Sequence, residues 1–499
     1  MDLSRAHIPL GGAAVLTLPG SVDLVLQHVS EQALGLVDAP EAVLPGDTSG
    51  WTRLRVSPAF TLMTPELGAI AVWRLAAEID LLRDFWPVGS GREVVAVDPR
   101  GRAEAGLLGQ RLSELYLAAA GTHVAVQLGL VRSRWGLGLV SNGGDDPVAA
   151  STESPFGTAY QGDHVVRLGV SAFPLGGGLG APPLTASVAF DGVIDDDTAR
   201  WSAGDRAYQL VAAVRGATGP VGLGLYVAHR FQDHAEGGST EVTVIDVTAR
   251  LEIAKEEGLL ALIEGELATI RGRSSLAQSV WHEGSSDVDQ LGGILRFSVR
   301  SGVFLGVLEV GAASGDTNPF DDEQRAFAMD RDHRVGMLMF RESVLAAQAA
   351  TIDNLSNPDY RGEAPRGVRR LATQGAVKGA VYANPRMSFR VLGEDGGTAD
   401  PRLDVYAGFL YGSTDGDLVD AYWSGLAGGA ARGFRNGAPS SELGWEVDVG
   451  AALQVPGEDV RWRFRLEGAW FQPGRAFADA AGQAMPGVWG ISGQAGLLW

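Results

Sequence analysis

Two stretches at the carboxyl end limit what this chain can fold into more than anything else in it. Between Val460 and Trp470, Arg461, Arg463, Arg465 and Glu467 fall on one parity, and Trp462, Phe464, Leu466 and Trp470 on the other. Successive side chains of a strand point to opposite faces, so this stretch is a strand with one charged and one apolar face. Further on, Trp489, Ile491, Ala495, Leu497 and Trp499 oppose Gly490, Ser492, Gln494 and Gly496, and the pattern runs to the last residue. A soluble sandwich also tolerates alternation. An arginine-rich face backed by tryptophans is what water inside and lipid outside demand together. The pattern predicts an all-β chain forming a transmembrane, antiparallel, up-and-down β-barrel.

Composition agrees with that expectation. Of the 499 residues 45% are apolar and 20% charged, too polar for a bundle of membrane helices, and no apolar run reaches 18 residues. A barrel meets lipid with only every second strand residue, so this polarity is compatible with it. The 69 glycines suit turns and crowded interior positions. Without cysteine there is no disulfide, thiolate metal site or cysteine nucleophile, and a net charge of −20 argues against nucleic acid as a partner. Met1–Ser30 lacks the basic and apolar regions of an export leader, and an outer-membrane protein must be exported. The expectation is therefore mature-chain numbering with an added Met1.

The same rhythm recurs from Trp51 onward. Leu54, Val56, Phe60 and Leu62 alternate with Arg53, Arg55 and Ser57; Val247, Ala249, Leu251 and Ile253 oppose Asp246, Thr248, Arg250 and Glu252. Leu291, Leu295, Phe297 and Val299 oppose Arg296 and Arg300, and Leu443, Trp445, Val447 and Val449 oppose Glu446 and Asp448. Tight turns such as Gly216–Pro220 and Ser301–Gly302 alternate with longer acidic or glycine-rich connections, the pattern of short periplasmic turns and long extracellular loops. Parity holds through Asn384-Pro385, so Val377–Val391 reads as one strand with a local irregularity, and Val335–Phe340 as no crossing of its own. Even parity then gives about 18 strands, with 16 or 20 as alternatives. The whole of 1–499 is expected to be a single barrel, 1–20 being a periplasmic segment. Residues 315–374 are too long for an ordinary loop, look briefly helical at Glu342–Ala350, and are expected to fold into the lumen as a constriction.

Inward charges are the main functional signal. Arg461, Arg463, Arg465, Arg296, Arg300, Arg250, Arg167, Arg386, Arg390 and Lys378 are expected to face the lumen, with Glu252, Glu264, Glu266, Asp448 and Glu467 among them. Rings of charge select what enters a pore, and the guanidinium fork grips carboxylate or phosphate, so an anionic solute is a plausible cargo. The plainer reading is that these groups pair to stiffen the wall. Trp73, Trp445, Trp462, Trp470 and Trp499 are candidate membrane-interface anchors. The expected surroundings are outer-membrane lipid and lipopolysaccharide of a bacterial cell, with the C-terminal strand as handle for the barrel-assembly machinery.

Chemistry beyond passage finds little footing. Asp316, Asn318, Asp321, Asp322 and Glu323 offer hard oxygens but lack the spacing and glycine of a calcium loop, so a solvated surface loop is expected. His123 and His164 fall at strand starts, His229, His234, His282 and His333 near loops, and none pair at zinc-like spacing. There is no G-x-S-x-G elbow, and Gly176–Gly178 and Gly180 lead into Pro182-Pro183 and a strand, not a helix that cradles phosphate. No enzyme activity, cofactor or metal is expected.

Three motifs carry a resemblance. Arg132–Gly138 (RSRWGLG) followed by Asn142-Gly143, Asp330–Phe340 ending in HRVGMLMF, and Ala380–Pro385 (AVYANP) resemble an uncharacterised family of large outer-membrane β-barrels of myxobacteria and their relatives. In size and arginine lining the chain is also similar to alginate-exporter-type porins, which implies passive passage of an anionic solute or polymer. Three functions follow as expectations: a porin-like channel for diffusion or export of small or anionic solutes, a plugged structural barrel that docks a partner, and, third, an interfacial hydrolase.

Overall fold

The computed structural model describes residues 8–9, 15–30, 32, 49–66, 69–83, 109–144, 156, 162–177, 183–256, 258–276, 284–356, 373, 375–393, 400–457 and 460–499. Eighteen strands form the barrel. They are β1 (Gly20–Val29), β2 (Ser49–Glu66), β3 (Ala69–Arg83), β4 (Gly109–Ala120), β5 (Val124–Ser133) and β6 (Asp163–Ala172). Next come β7 (Leu184–Asp195), β8 (Arg206–Thr218), β9 (Val221–Asp233), β10 (Ser239–Glu256), β11 (Leu259–Ser274) and β12 (Ser286–Ser301). The circuit is completed by β13 (Phe304–Ala313), β14 (Ala380–Leu392), β15 (Arg402–Thr414), β16 (Glu442–Pro456), β17 (Arg461–Pro473) and β18 (Val488–Leu498). Each pairs antiparallel with its sequence neighbour. β18 returns to β1, with Ser21 opposite Leu498 and Val29 opposite Gly490, which closes the barrel and leaves no open edge. The expected count of 18 stands.

The alternation follows the sequence. Trp462, Phe464, Leu466 and Trp470 are exposed on the outer face of β17, Leu466 by 59%, while Glu467 of the opposite parity is 3% exposed. Such a surface is stable only against hydrocarbon. Leu443 departs from its expected parity: β16 bulges there, Gly412 and Ser413 pairing with Gly444 and Glu442, and Leu443 turns inside at 1% exposure. β14 runs unbroken through Pro385, which sits opposite Leu308 of β13. Its ladder to β15 skips Asn384 and Pro385, and there the Asn384 side chain donates to the Phe409 carbonyl at 3.1 Å. A proline without an N–H is thus accommodated by an amide next to it.

Turns at one end are short, as at Gly219-Pro220 and Gly302-Val303, whereas the other end carries the long connections. The apolar core lies between those connections and the inner wall. Leu139, Phe156, Phe327, Met329, Leu338, Met339, Phe340 and Val344 pack there with Tyr382, Leu410, Phe471 and Phe477. Residues 335–340 make no crossing; they lead into a π-helical turn, Met339–Val344, and helix α1, Leu345–Ser356. A second short helix, α2 (Ala421–Leu426), lies against α1 through Tyr422 and Leu355. Before β1, Val15–Thr17 pairs with Thr61–Met63 of β2 and with Ile8–Pro9. The polar stretch 84–108, residues 357–372, His282, Gly178, Gly180 and Pro182 lie outside the described residues.

Candidate functional site

Strand register, which the sequence does not display, lines the inward charges up into rows. Arg250 of β10 sits opposite Glu264 of β11, Glu264 opposite Arg296 of β12, Arg296 opposite Glu309 of β13, and Glu309 opposite Asn384 of β14. Positive and negative side chains therefore alternate across four neighbouring strands. Glu309 is the hub: it is 1% exposed, takes Arg296 Nη2 at 2.7 Å, Arg386 Nη2 at 3.3 Å and the Tyr382 hydroxyl at 2.8 Å, and lies 3.3 Å from His333 Nε2.

Other expected lumen groups are paired in the same way. Arg463 donates from Nε to Asp23 at 3.0 Å across the closing seam, Arg465 Nη1 lies 4.0 Å from Glu467, and Arg390 Nε 3.4 Å from Asp404. Arg167 donates to the fully buried Asp191 at 2.7 Å, and Glu252 approaches Lys255 at 3.5 Å. Arg250, Arg300 and Arg461 form no ion pair among the described residues, and Arg250 and Arg300 are exposed. Lys378 is placed elsewhere: it precedes β14, forms an isolated bridge with Ala328, and burial, partly offset by Asp316, brings its ammonium down to about 8.

Three wall carboxylates hold backbone amides. Glu446 of β16, completely buried, accepts the N–H groups of Met337, Leu338 and Met339 at 2.5, 2.9 and 2.6 Å, with Gly336 at φ +68° turning the chain toward it. Glu266 of β11 accepts Leu137 and Leu139, the latter at 3.1 Å, beside Gly136 (φ +54°) and Gly138 (φ +83°). Glu467 of β17 accepts Phe156 N–H at 2.8 Å and the Tyr406 hydroxyl at 2.8 Å. A carboxylate accepting several amides is a strong, charge-assisted anchor. The Glu266 and Glu446 contacts seat two segments, 135–142 and 327–356, against inward side chains, and the Glu467 contact holds Phe156 there. The segments meet where Asp330 N–H donates to the Leu139 carbonyl at 2.7 Å.

The inward course of 135–142 was not read from the sequence, although it contains the RSRWGLG motif. Trp135 donates to Asp246 at 3.1 Å, stacks near Tyr226 with centroids 5.4 Å apart, and lies under Arg215, whose guanidinium carbon is 4.9 Å from the ring. A tryptophan followed by two glycines, Gly136 and Gly138, was the available signal. HRVGMLMF has an equally plain role, as the segment that Glu446 and Tyr382 grip.

The exposed 316–323 loop is folded on itself. Asn318 donates to Asp321 at 2.9 Å, and Asp316 and Asp321 accept nearby backbone amides. Carboxylates converge instead at Asp163, Asp197 and Asp330. His229, expected near a loop, lies inside β9 and touches Thr243 at 2.8 Å. Of the candidate interface tryptophans, Trp73, Trp445, Trp462 and Trp470 are 40–50% exposed on the outer face. Trp499 follows β18, exchanges backbone hydrogen bonds with Gly20 and covers that glycine, where a Cβ would collide with its indole.

Closed and antiparallel, with inward-folded connections at its long end, this is an 18-strand barrel of the outer-membrane type. Among solved structures it resembles Pseudomonas aeruginosa OpdK with vanillate: 11% identity over 97% of this chain and 99% of that one, TM-score 0.50. It also matches OccK2 (OpdF) in complex with glucuronate, at 11% identity over 97% of both chains and TM-score 0.49, and OpdL, at 9% over 97% and 98% and TM-score 0.47, both from the same organism. At such identities the likeness is one of fold. No family model matches and no curated protein matches, so neither the myxobacterial family nor the alginate exporters gain support.

Proposed function

We propose that the chain is a passive channel of a bacterial outer membrane, embedded in lipid and lipopolysaccharide, that admits small anionic solutes. The observation that carries this reading is the unequal bookkeeping of inward charge toward the short-turn end: Arg250, Arg300 and Arg461 lack ion-pair partners among the described residues, while the acids Glu309, Asp404 and Glu446 are committed to arginines or backbone amides. Unpaired guanidiniums held on a rigid wall attract carboxylates and phosphates and offer bidentate contact. The inward segment 327–356 is the proposed constriction, set above this basic region. Its anchorage on Glu446, Glu309 and Gln27 supports a fixed narrowing rather than a swinging lid.

Liposome swelling tests the selectivity. A sugar acid is expected to enter faster than a neutral sugar of equal size, and R250Q/R300Q/R461Q to abolish the difference; equal rates in the unaltered chain would refute anion preference. The near-complete burial of Leu338, Met339 and Phe340 favours a second reading, a plugged barrel used for docking. Conductance separates the two, since a plugged barrel passes no ions.

A further inference from the structure

The outer wall carries a feature that passage does not use. Between β10 and β13 it is hollowed into a groove of about 690 Å³. Small outward residues lie opposite one another there, Ala249 with Gly265 and Gly293 with Ala312, and Leu267 and Leu295, 55% and 52% exposed, flank them. Glycine and alanine leave space beside those leucines. A hydrocarbon chain laid in it gains dispersion contacts that a flat wall does not offer.

Charge begins where the groove ends. Leu291 lines its end toward the long connections, and the next outward position of β12 is Asp289, opposite Arg271 of β11; Asp287 and Arg273 follow one step further out. The two arginine side chains are 73% and 77% exposed. Each donates from Nε alone, Arg271 to Asp289 at 3.0 Å and Arg273 to Asp287 at 3.1 Å, so the Nη groups of both have no acceptor among the described residues. Alternate residues of one strand stand about 6.5–7 Å apart on the same face, close enough for both forks to reach a single phosphate. Exposed pairs of this kind contribute little and exchange readily, so the aspartates orient the forks without withdrawing them.

Long connections are extracellular in such barrels, which sets these arginines at the headgroups of the outer leaflet and the groove in its hydrocarbon. We propose that this patch is a binding site for one lipopolysaccharide molecule: Arg271 and Arg273 take a phosphate of its lipid A, and one acyl chain lies in the groove. A lone phosphate would leave the groove empty, and an uncharged lipid would leave the guanidiniums unused. A phosphorylated lipid of the outer leaflet satisfies both. Leu267, in the groove, precedes Arg271 on the same face of β11 by about 13 Å of strand, within the length of one such molecule. The site rests on the outer-membrane placement proposed above and is independent of what the lumen conducts.

Native mass spectrometry of the full chain, refolded into lipopolysaccharide-free detergent with EDTA present, tests this with diphosphoryl lipid A as the probe. One bound lipid A is expected, held about 10-fold more tightly than phosphatidylglycerol or lipid A stripped of its phosphates, because a phosphate monoester brings more charge and more acceptor oxygens to the two forks. R271Q/R273Q is expected to weaken it about 10-fold or more. A249L/A312L, which fills the groove with side chains that lipid tolerates, is expected to weaken it several-fold. R475Q, at another exposed and paired arginine of the long end, leaves it unchanged. Lipid A bound no better than the two competitors, binding that needs a divalent cation, equal loss in R475Q, or binding unaffected by either double variant would overturn the proposal. Should a double variant fail to fold, the two competitor lipids on the unaltered chain decide. A chain that does not insert into phospholipid vesicles refutes the placement and the site with it; one that inserts and shows no preference for lipid A refutes this site alone.

Discussion

At the scale of single residues, the barrel's interior is organised by carboxylates that accept from the backbone. Glu446 is the clearest: three consecutive amides converge on it, and E446A would leave all three buried without an acceptor. Each orphaned amide costs about 1–3 kcal/mol, so a loss of at least about 3 kcal/mol is expected. It should appear as a lower temperature for heat-induced loss of the folded band on gels, together with new protease cleavage near residues 337–339. Asp420 gives a pH prediction. It caps α2 by accepting Trp423 N–H at 2.9 Å, also binds the Thr351 hydroxyl of α1, and is raised by burial from 3.8 to about 7. Between those values the folded chain keeps a proton that the unfolded chain has lost, so stability falls as pH rises from about 4 to about 7 and levels off above. D420N should flatten that slope in thermal unfolding followed across pH 4–8; an unchanged slope would mean Asp420 is not its source.

Elements were legible in the sequence to the degree that their cause is local. Parity within ten residues fixes which face of β17 or β12 meets lipid, and that pattern sufficed for the strand count and for carrying β14 through Pro385. The bulge at Leu443 was not legible, because it depends on pairing between β15 and β16. Nor were the inward segments: Glu446 reaches Met337 from 109 residues away, Glu266 reaches Leu139 from 127, and Glu467 reaches Phe156 from 311. Contacts of that range leave no periodicity. The two faces of one hairpin allow a direct comparison. L466R, on the outer face of β17, should cost about 2–4 kcal/mol if it lies near mid-bilayer. Q494R, inward on β18 beside Arg465 and near Asp23, should cost far less. Urea titration of the two variants in lipid vesicles measures both, and equal costs would argue against lipid on the outer face.

For the molecule as a whole, closure of β18 on β1 joins residues more than four hundred positions apart, and the paired Arg463 and Asp23 sit on that seam. The wall is stiffened by such pairs, and among the described residues the long end is packed with the chain's own connections, so in the proposed channel the 327–356 segment narrows the path. Which inward groups remain available was only half visible beforehand: the arginines stood out in the sequence, but the acids that neutralise most of them came from partner strands. Single-channel recording in planar bilayers under a salt gradient tests the central claim most directly. Discrete conductance steps with a reversal potential displaced toward the anion equilibrium are expected. A barrel that inserts but stays silent at every voltage, or passes cations in preference, would contradict it.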